Sequence, residues 1–298
     1  MGTPDFAVPS LEALVDSGYA VVAVVTQPDR PRGRGRKPGS SPVKSVASAL
    51  GLDVLQPERV SDAEFRAEII GRSPDVIVVV AFGQLLTRPL LEAAPLGAVN
   101  LHASLLPKYR GAAPINWVVI NGETTTGLTA MRLDEGMDTG PVLLQEELGI
   151  DSSDTAGTLH DRLALKSAGF LIKTLEGLAG GILGELPQDD SLATYAPKID
   201  RSVRRISWSE PAEKICALIR GLDPVPGAVT TLEGRDLKIF SPVSRVKGTT
   251  GAEPGVITCC GSGLLEVAAG KGSVRIGSIQ MAGRKRLPVG ELLCGMSL

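Results

Sequence analysis

The sequence predicts an α/β protein, a doubly wound and mostly parallel sheet followed by a small β-barrel domain, and three observations carry that prediction. Helix-patterned and strand-patterned segments alternate from residue 10 to residue 104. One of them, DVIVVVAFG (75–83), is a continuous β-branched run of the kind buried on both faces of a parallel sheet. From Asp223 onward the helical period is lost, and short apolar runs alternate with Gly and Pro, as in a barrel or a sandwich.

Each element follows in turn. Residues 10–16 carry Leu11, Leu14 and Val15 at helical spacing and stop at Gly18. AVVAVVT (20–26) reads as a buried strand. Residues 27–40, rich in Pro, Gly and Arg, read as a long loop. Ser41 and Pro42 supply an N-cap and a first-turn proline for a helix to Leu50. VLQ (54–56) gives a short strand, 62–71 a helix, 88–93 a helix and GAVNLHAS (97–104) another strand. SLLPKYRGAAP (104–114) is an irregular loop, and a short helix follows at 115–120. LTAMRLD (128–134) and VLLQEELGI (142–150) are strands, and 155–179 carries a helical period. Residues 180–205 read as a linker with little regular structure. A helix over 208–222 then leads into the strand runs AVTTL, LKIF, GVIT, LLEVAA and VRIGSIQM. The expected division is a catalytic domain at 1–190, a linker at 191–205 and a C-terminal domain at 206–298.

Composition narrows the class. The chain has 298 residues, 43% hydrophobic and 21% charged, an ordinary globular mixture of about two domains. No apolar run reaches the ~18 residues a bilayer span needs. MGTPDF (1–6) leads into no signal-peptide core, so no secretion signal is expected. The cysteines Cys216, Cys259, Cys260 and Cys294 lack zinc-ligand spacing and are expected as reduced, buried or half-buried thiols. With only His102 and His160 available, no metal site is expected. The net charge of −2 hides an uneven spread. Residues 223–298 carry nine basic and six acidic side chains. Arg30, Arg32, Arg34, Arg36, Lys37 and Lys44 occupy a stretch with no acid in it, which suits a polyanionic partner.

The chemistry concentrates in two segments. In VNLHASLLP (99–107), Asn100 and His102 stand two apart on a strand, so period two sets both on one face near its C-terminal end, where α/β sheets bind ligands. In isolation such a pair is more often satisfied at a sheet edge. In LDEGMDTGPVL (133–143), Asp134 and Asp138 sit in a glycine-flanked loop, whose default role is to cap backbone amides. Together, an amide, an imidazole and a carboxylate suit acyl-type transfer. The amide binds a carbonyl oxygen, the imidazole exchanges a proton or steadies an oxyanion, and the carboxylate orients the imidazole. No Ser or Cys nucleophile stands beside them, which favours direct attack by a substrate amine.

These segments resemble a known family. GTPDFAVPSLEAL, TQPDRPRGRGRKPGSSPVK, VVVAFGQLL, VNLHASLLPKYRGAAPINW, LDEGMDTGPVL, AGTLHDRLA, TYAPKI and the I-x-W at 206–208 are similar to successive motifs of the methionyl-tRNA formyltransferase family. The resemblance covers nearly the whole chain and is weakest after residue 240. It implies a Rossmann-like formyltransferase domain and an OB-like C-terminal barrel. It also implies transfer of formyl from 10-formyltetrahydrofolate to the α-amine of methionine on initiator tRNA. By matching position, Asn100 would bind the formyl oxygen, and His102 would stabilise the oxyanion and assist proton transfer. Asp138 would hold His102 and shuttle protons through water. Ser104, Leu105, Leu106 and Pro107 would line the folate site, with Phe82, Gly83 and Leu86 near the pterin. The arginine loop, with Arg36 and Lys37 in its tip region, would reach the tRNA acceptor end. Aromatic content of 3% argues for recognition by charge and shape over base stacking. Arg284, Lys285, Arg286, Lys271 and Arg275 are candidates for a second contact patch.

The family usually opens with an apolar strand ahead of GTPDF, which here follows Met1 directly. The central first strand is therefore expected to be missing, with its neighbours left unpaired at ~1–3 kcal/mol per buried backbone group. The chain is accordingly expected to be less stable than a version extended upstream. A cytoplasmic bacterial monomer is expected, or a mitochondrial or plastid protein if a longer N-terminus carries a transit peptide. Two alternatives stand beside this reading. One is a formyltransferase of a small-molecule amine, disfavoured by the basic loop. The other is an inactive RNA-binding homologue, disfavoured by the complete Asn100, His102, Asp138 set.

Overall fold

The computed structural model describes residues 1–32, 37–248, 251–261 and 263–293. Two compact units are present. The first comprises Met1–Gly111, Thr126–Leu148 and His160–Tyr195, and the second Ala112–Thr125, Gly149–Leu159 and the chain from Ala196 onward.

The first unit opens with helix α1 (Val8–Asp16) and a two-residue strand β1 (Val24–Val25). The run at 20–26 is thus mostly not strand. Val22 is exposed, and of the described run only Val24 and Val25 take a place in a strand ladder. The segment read as a loop at 27–40 carries a hairpin stem, β2 (Arg30–Arg32) against β3 (Lys37–Gly39). Pro31 and Pro38 face each other across that ladder, so its N–H donors come from the pairs on either side. Helix α2 (Pro42–Ala49) starts as its sequence predicts, with Ser41 Oγ accepting from the Lys44 N–H at 3.1 Å. Strand β4 (Val54–Leu55), α3 (Ala63–Gly71), β5 (Ile77–Val79), α4 (Arg88–Leu91) and β6 (Ala98–His102) complete the alternation. Helix α5 (Pro114–Ile120) belongs to the second unit. Strands β7 (Thr125–Arg132) and β8 (Val142–Gly149) follow, then the long helix α6 (Ala156–Ala179). A stripe of Leu163, Phe170, Leu171, Leu175 and Leu178 buries one face of α6.

The sheet order is β5-β6-β7-β8, with β1-β4 as a separate parallel pair. β5 and β6 run parallel, and β6 and β7 antiparallel, with Asn100 opposite Met131 and His102 opposite Thr129. Every residue of β6 is buried. Met1 and Gly2 bridge the two pieces. The Gly2 N–H donates to Val25 O, and Gly2 pairs with Val80. The Val80 N–H donates to Met1 O, and the Met1 amine to Val78 O at 2.5 Å. A Cβ on Gly2 would stand 2.8 Å from Ala7 Cβ and 2.9 Å from Val80 O, so only glycine passes between them. Val25, Phe65, Ile69, Ile77, Val79 and Leu90 pack one core of this unit.

In the second unit, helix α7 (Ala212–Gly221) buries Ala212, Ile215, Cys216 and Ile219 on one face. Asn116 of α5 donates to Gly221 O at 2.8 Å, and that approach requires the absence of a Cβ at Gly221. Strands β9 (Ala228–Leu232), β10 (Arg235–Val246), β11 (Ile257–Gly261), β12 (Leu264–Ala268), β13 (Ser273–Met281) and β14 (Leu287–Pro288) pair antiparallel throughout. The order is β11-β12-β13-β10-β9, with β14 also on β13, and short helix α8 (Val289–Leu293) ends the described chain. A register shift between Phe240 and Val243 lets β10 bend. Leu237, Ile239, Leu265, Val267, Val274 and Ile276 join the α7 face in one core. One expectation fails here. Cys259 and Cys260 are exposed on β11, which stands at the end of the sheet, and Cys294 lies outside the described residues. The patch around residues 271–286 loses two of its cations to internal partners. Arg286 forks onto Asp223 and lies 4.5 Å from the Phe240 ring centroid, and Arg275 forks onto Glu266.

Candidate active site

β6 sets Asn100 and His102 on one face two residues apart, and both are buried. The imidazole Nε2 lies 2.9 Å from the Tyr109 carbonyl, which can only accept, so Nε2 carries a proton and donates it. That leaves Nδ1 facing Asp138 Oδ2 at 3.6 Å. Thirty-six residues of sequence separate His102 from Asp138, and the β7–β8 connection returns the carboxylate to the imidazole. Asp138 holds a left-handed backbone, φ +57°, which an L side chain adopts only at a cost. Its Oδ2 accepts from the Gly111 N–H at 2.8 Å, and its backbone carbonyl accepts from Gln188 Nε2 at 2.9 Å. The Asn100 side chain makes no hydrogen bond among the described residues, so its amide is available to a ligand. Asp134 takes the default role of its loop. It accepts from the Gly136 N–H and the Thr139 hydroxyl.

The segment after β6 is clamped. Thr129, wholly buried opposite His102, donates its hydroxyl to Ser104 O at 2.7 Å and accepts from the Leu106 N–H at 3.1 Å. Gln145 Nε2 donates to both Thr129 Oγ1 and Leu106 O. Ser104 Oγ closes the next turn on Lys108 O, and Pro107 O accepts from the Thr194 N–H. Ser104 and Leu106 are buried, whereas Leu105 and Pro107 are half-buried. Of the second group, Phe82 and Leu86 turn their side chains into the core around Val25 and Leu90. Gly83 has φ +86° and open space where a Cβ would stand, and Leu85 beside it is exposed.

The basic residues divide. Arg30 is exposed, and the backbones of Arg32 and Lys37 pair across the hairpin stem. Arg34 and Arg36 lie outside the described residues. Lys44 is not a free cation. It bonds Asp29 at 2.6 Å, and Gln56 Nε2 bonds the other oxygen of the same carboxylate at 2.9 Å. This tether fastens the base of the stem to α2 and to the residue after β4. His160 stands apart from this site: its ring sits edge-on to Phe6 and its Nδ1 bonds Asp161. No group of His, Cys, Asp and Glu among the described residues is arranged to hold a metal ion.

Sequence reasoning missed Thr129, Gln145, Arg110 and Gln188. Arg110, almost fully buried, directs Nε and Nη2 onto Gln188 Oε1. Gln188 lies in the segment read as a linker. That segment has little regular structure, yet Leu186 pairs with Val142 and Arg110 with Tyr195. The Q-D-D following Pro187, a polar run with few apolar neighbours, was the one signal of a network there.

Comparison with known proteins agrees with this architecture. Residues 1–175 match the formyl transferase family and residues 198–297 the formyl transferase C-terminal domain. The fold resembles the N-formyltransferase of Helicobacter canadensis solved with folinic acid and dTDP-3-aminofucose. The TM-score is 0.70 at 19% identity, over 92% of this chain and 96% of that one, which speaks for the fold alone. The methionyl-tRNA formyltransferase of Pelobacter propionicus is 50% identical over 99% of this chain and 92% of its own length. That of Geobacter metallireducens is 48% identical over 100% and 95%. The matches at that identity run over nearly the whole of both chains, and the chain belongs to the methionyl-tRNA formyltransferase family.

Proposed function

We propose that this chain transfers the formyl group of 10-formyltetrahydrofolate to the free α-amino group of methionyl initiator tRNA. The observation that carries the reading is the convergence of Asn100, His102 and Asp138 in a chain half identical to enzymes named for that reaction. The amine nitrogen attacks the formyl carbon, a C–N bond forms, and the bond from formyl carbon to the folate nitrogen breaks. Negative charge grows on the formyl oxygen, where the Asn100 amide donates a hydrogen bond. His102, with Nε2 committed to Tyr109, works through Nδ1. The reacting oxygen lies toward that nitrogen, and Asp138 at 3.6 Å from it holds the ring in place. The proton lost by the amine passes by way of the Asp138 carboxylate to the leaving nitrogen.

The donor lies along Ser104, Leu105, Leu106 and Pro107. Its flat ring lies by Phe82, Gly83 and Leu86, with the open space at Gly83 admitting it against backbone. Arg30, Arg32, Arg34, Arg36 and Lys37 meet the phosphates of the acceptor stem, and Lys44 holds the base of that arm. Residues 1–190 form the catalytic domain, 191–205 the linker and 206–298 the tRNA-binding domain of a cytoplasmic monomer. The relatives named above are bacterial, which supports that compartment.

The test is a formylation assay with charged initiator tRNA and 10-formyltetrahydrofolate. Transfer is expected, and its KM for tRNA should climb steeply with salt as counterion release is lost. A chain that formylates a small amine and ignores the tRNA would sink the reading.

A further inference from the structure

We propose that Gln188 and Arg110 are positioning residues that set the Asp138 carboxylate for proton transfer. The inference rests on the function proposed above. Asp138 cannot hold its conformation by local preference, since φ +57° is unfavourable for an aspartate without support. Support comes from a closed ring of hydrogen bonds. Arg110 Nε and Nη2 both donate to Gln188 Oε1, at 3.1 and 2.8 Å. Two guanidinium donors on one oxygen fix which end of the Gln188 amide faces Arg110. The NH2 end must then face away, and it donates to Asp138 O at 2.9 Å and to Gly140 O at 2.7 Å. The ring closes through the Asp138 carboxylate, whose Oδ2 accepts from the N–H of Gly111, the residue next to Arg110.

The same arginine is itself anchored. Its side chain is almost fully buried, its Nη2 also bonds Asp190 Oδ1 at 2.8 Å, and its backbone N–H bonds Thr194 O. Asp138 is thereby held at its backbone by Gln188 and at its carboxylate by the segment that leaves the His102 strand. One network fixes both the catalytic carboxylate and the loop whose Tyr109 carbonyl orients the imidazole. Gln188 touches no reacting atom. Its effect is the gap between Asp138 Oδ2 and His102 Nδ1.

Gln188→Glu separates the two halves of the network. A carboxylate still accepts from Arg110 but cannot donate to the carbonyls of Asp138 and Gly140. In the full chain we expect kcat to fall at least about tenfold, with KM for tRNA and for the folate donor within about twofold and Tm within a few degrees. In an Asp138→Ala background the same change should cost less than about threefold, because the group it positions is gone. Hydrogen exchange at the Gly111 amide reads the contact without turnover and should quicken at least about tenfold. An unchanged kcat, an unchanged Gly111 exchange rate, or a full loss repeated in the Asp138→Ala background overturns the proposal. If Gln188→Glu does not fold, Gln188→Met, neutral and of similar length, is read in the same cycle. Faster Gly111 exchange without formyl transfer by the wild-type chain would sink the function and leave the positioning intact. Normal wild-type transfer with unchanged exchange would do the reverse.

Discussion

Replacing Thr129 with valine tests the link between packing and donor binding. The two side chains have nearly the same shape, so the substitution removes one hydroxyl and little volume. That hydroxyl has three partners: Ser104 O, the Leu106 N–H and Gln145 Nε2. Gln145 keeps its bond to Leu106 O. The Ser104 carbonyl and the Leu106 N–H are left buried without another partner, at about 1–3 kcal/mol each. Valine's apolar methyl gives back under about 1 kcal/mol. The expected net loss is about 1–6 kcal/mol, or roughly 2–24 °C in Tm for a unit of this size. The backbone of 104–107 then loses its clamp, and KM for the folate donor should rise about five- to tenfold while KM for tRNA stays within about twofold. Urea unfolding and steady-state formylation measure the two effects, and Thr129→Ser, which keeps the hydroxyl, serves as control. A valine variant within about 0.5 kcal/mol of wild type with an unchanged folate KM would refute the clamp.

Four other outcomes are expected. His102→Ala and Asp138→Ala should each lower kcat by about 10²–10⁴ while tRNA affinity, followed by filter binding, is retained; a loss of tRNA binding instead would remove them from the chemistry. Arg36→Ala should raise the KM for tRNA and reduce the slope of log affinity against log salt by about one, and kinetics identical to wild type would contradict a phosphate contact. Burial pushes the Cys216 thiol up to about 11, so it should react with a thiol reagent far more slowly than exposed Cys259 and Cys260. Because the folded state holds that proton more tightly than the unfolded chain does, its stability should be intact below pH 9 and fall by up to about 2 kcal/mol between pH 9 and 11. A Cys216→Ala variant with the same alkaline loss would exclude the thiol as its source.

How much was legible depends on how local each signal is. Ser41 and Pro42 mark the start of α2, because a cap and its helix lie within four residues. The alternation of Asn100 and His102 fixes their shared face, because a strand's period is a local property. Asp138 is different. Its meeting with His102 depends on a β6–β7 register and a left-handed turn, neither written in the spacing. Thr129, Gln145, Arg110 and Gln188 escaped notice for a related reason. Thr129, Gln145 and Gln188 act largely on backbone groups far along the chain, and a backbone carbonyl has no residue identity to read, while the Arg110 guanidinium finds its partners Gln188 and Asp190 nearly eighty residues on. The run at 20–26 shows the converse error. A β-branched stretch promises a long strand, yet only residues with a neighbour to bond become one, and here those are Val24 and Val25.

The tether at the base of the arginine arm bears on affinity as well as on shape. Asp29 is gripped by Lys44 from one side and Gln56 from the other, and the stem above it is paired backbone to backbone. Residues so fixed have already surrendered their conformational entropy in the free protein, about 1–2 kcal/mol for each backbone ordered. A polyanion docking on the arm does not have to freeze the stem a second time. Loosening Asp29 would move that ordering cost from folding to binding, so an Asp29→Ala chain would keep every arginine and still hold its partner less tightly.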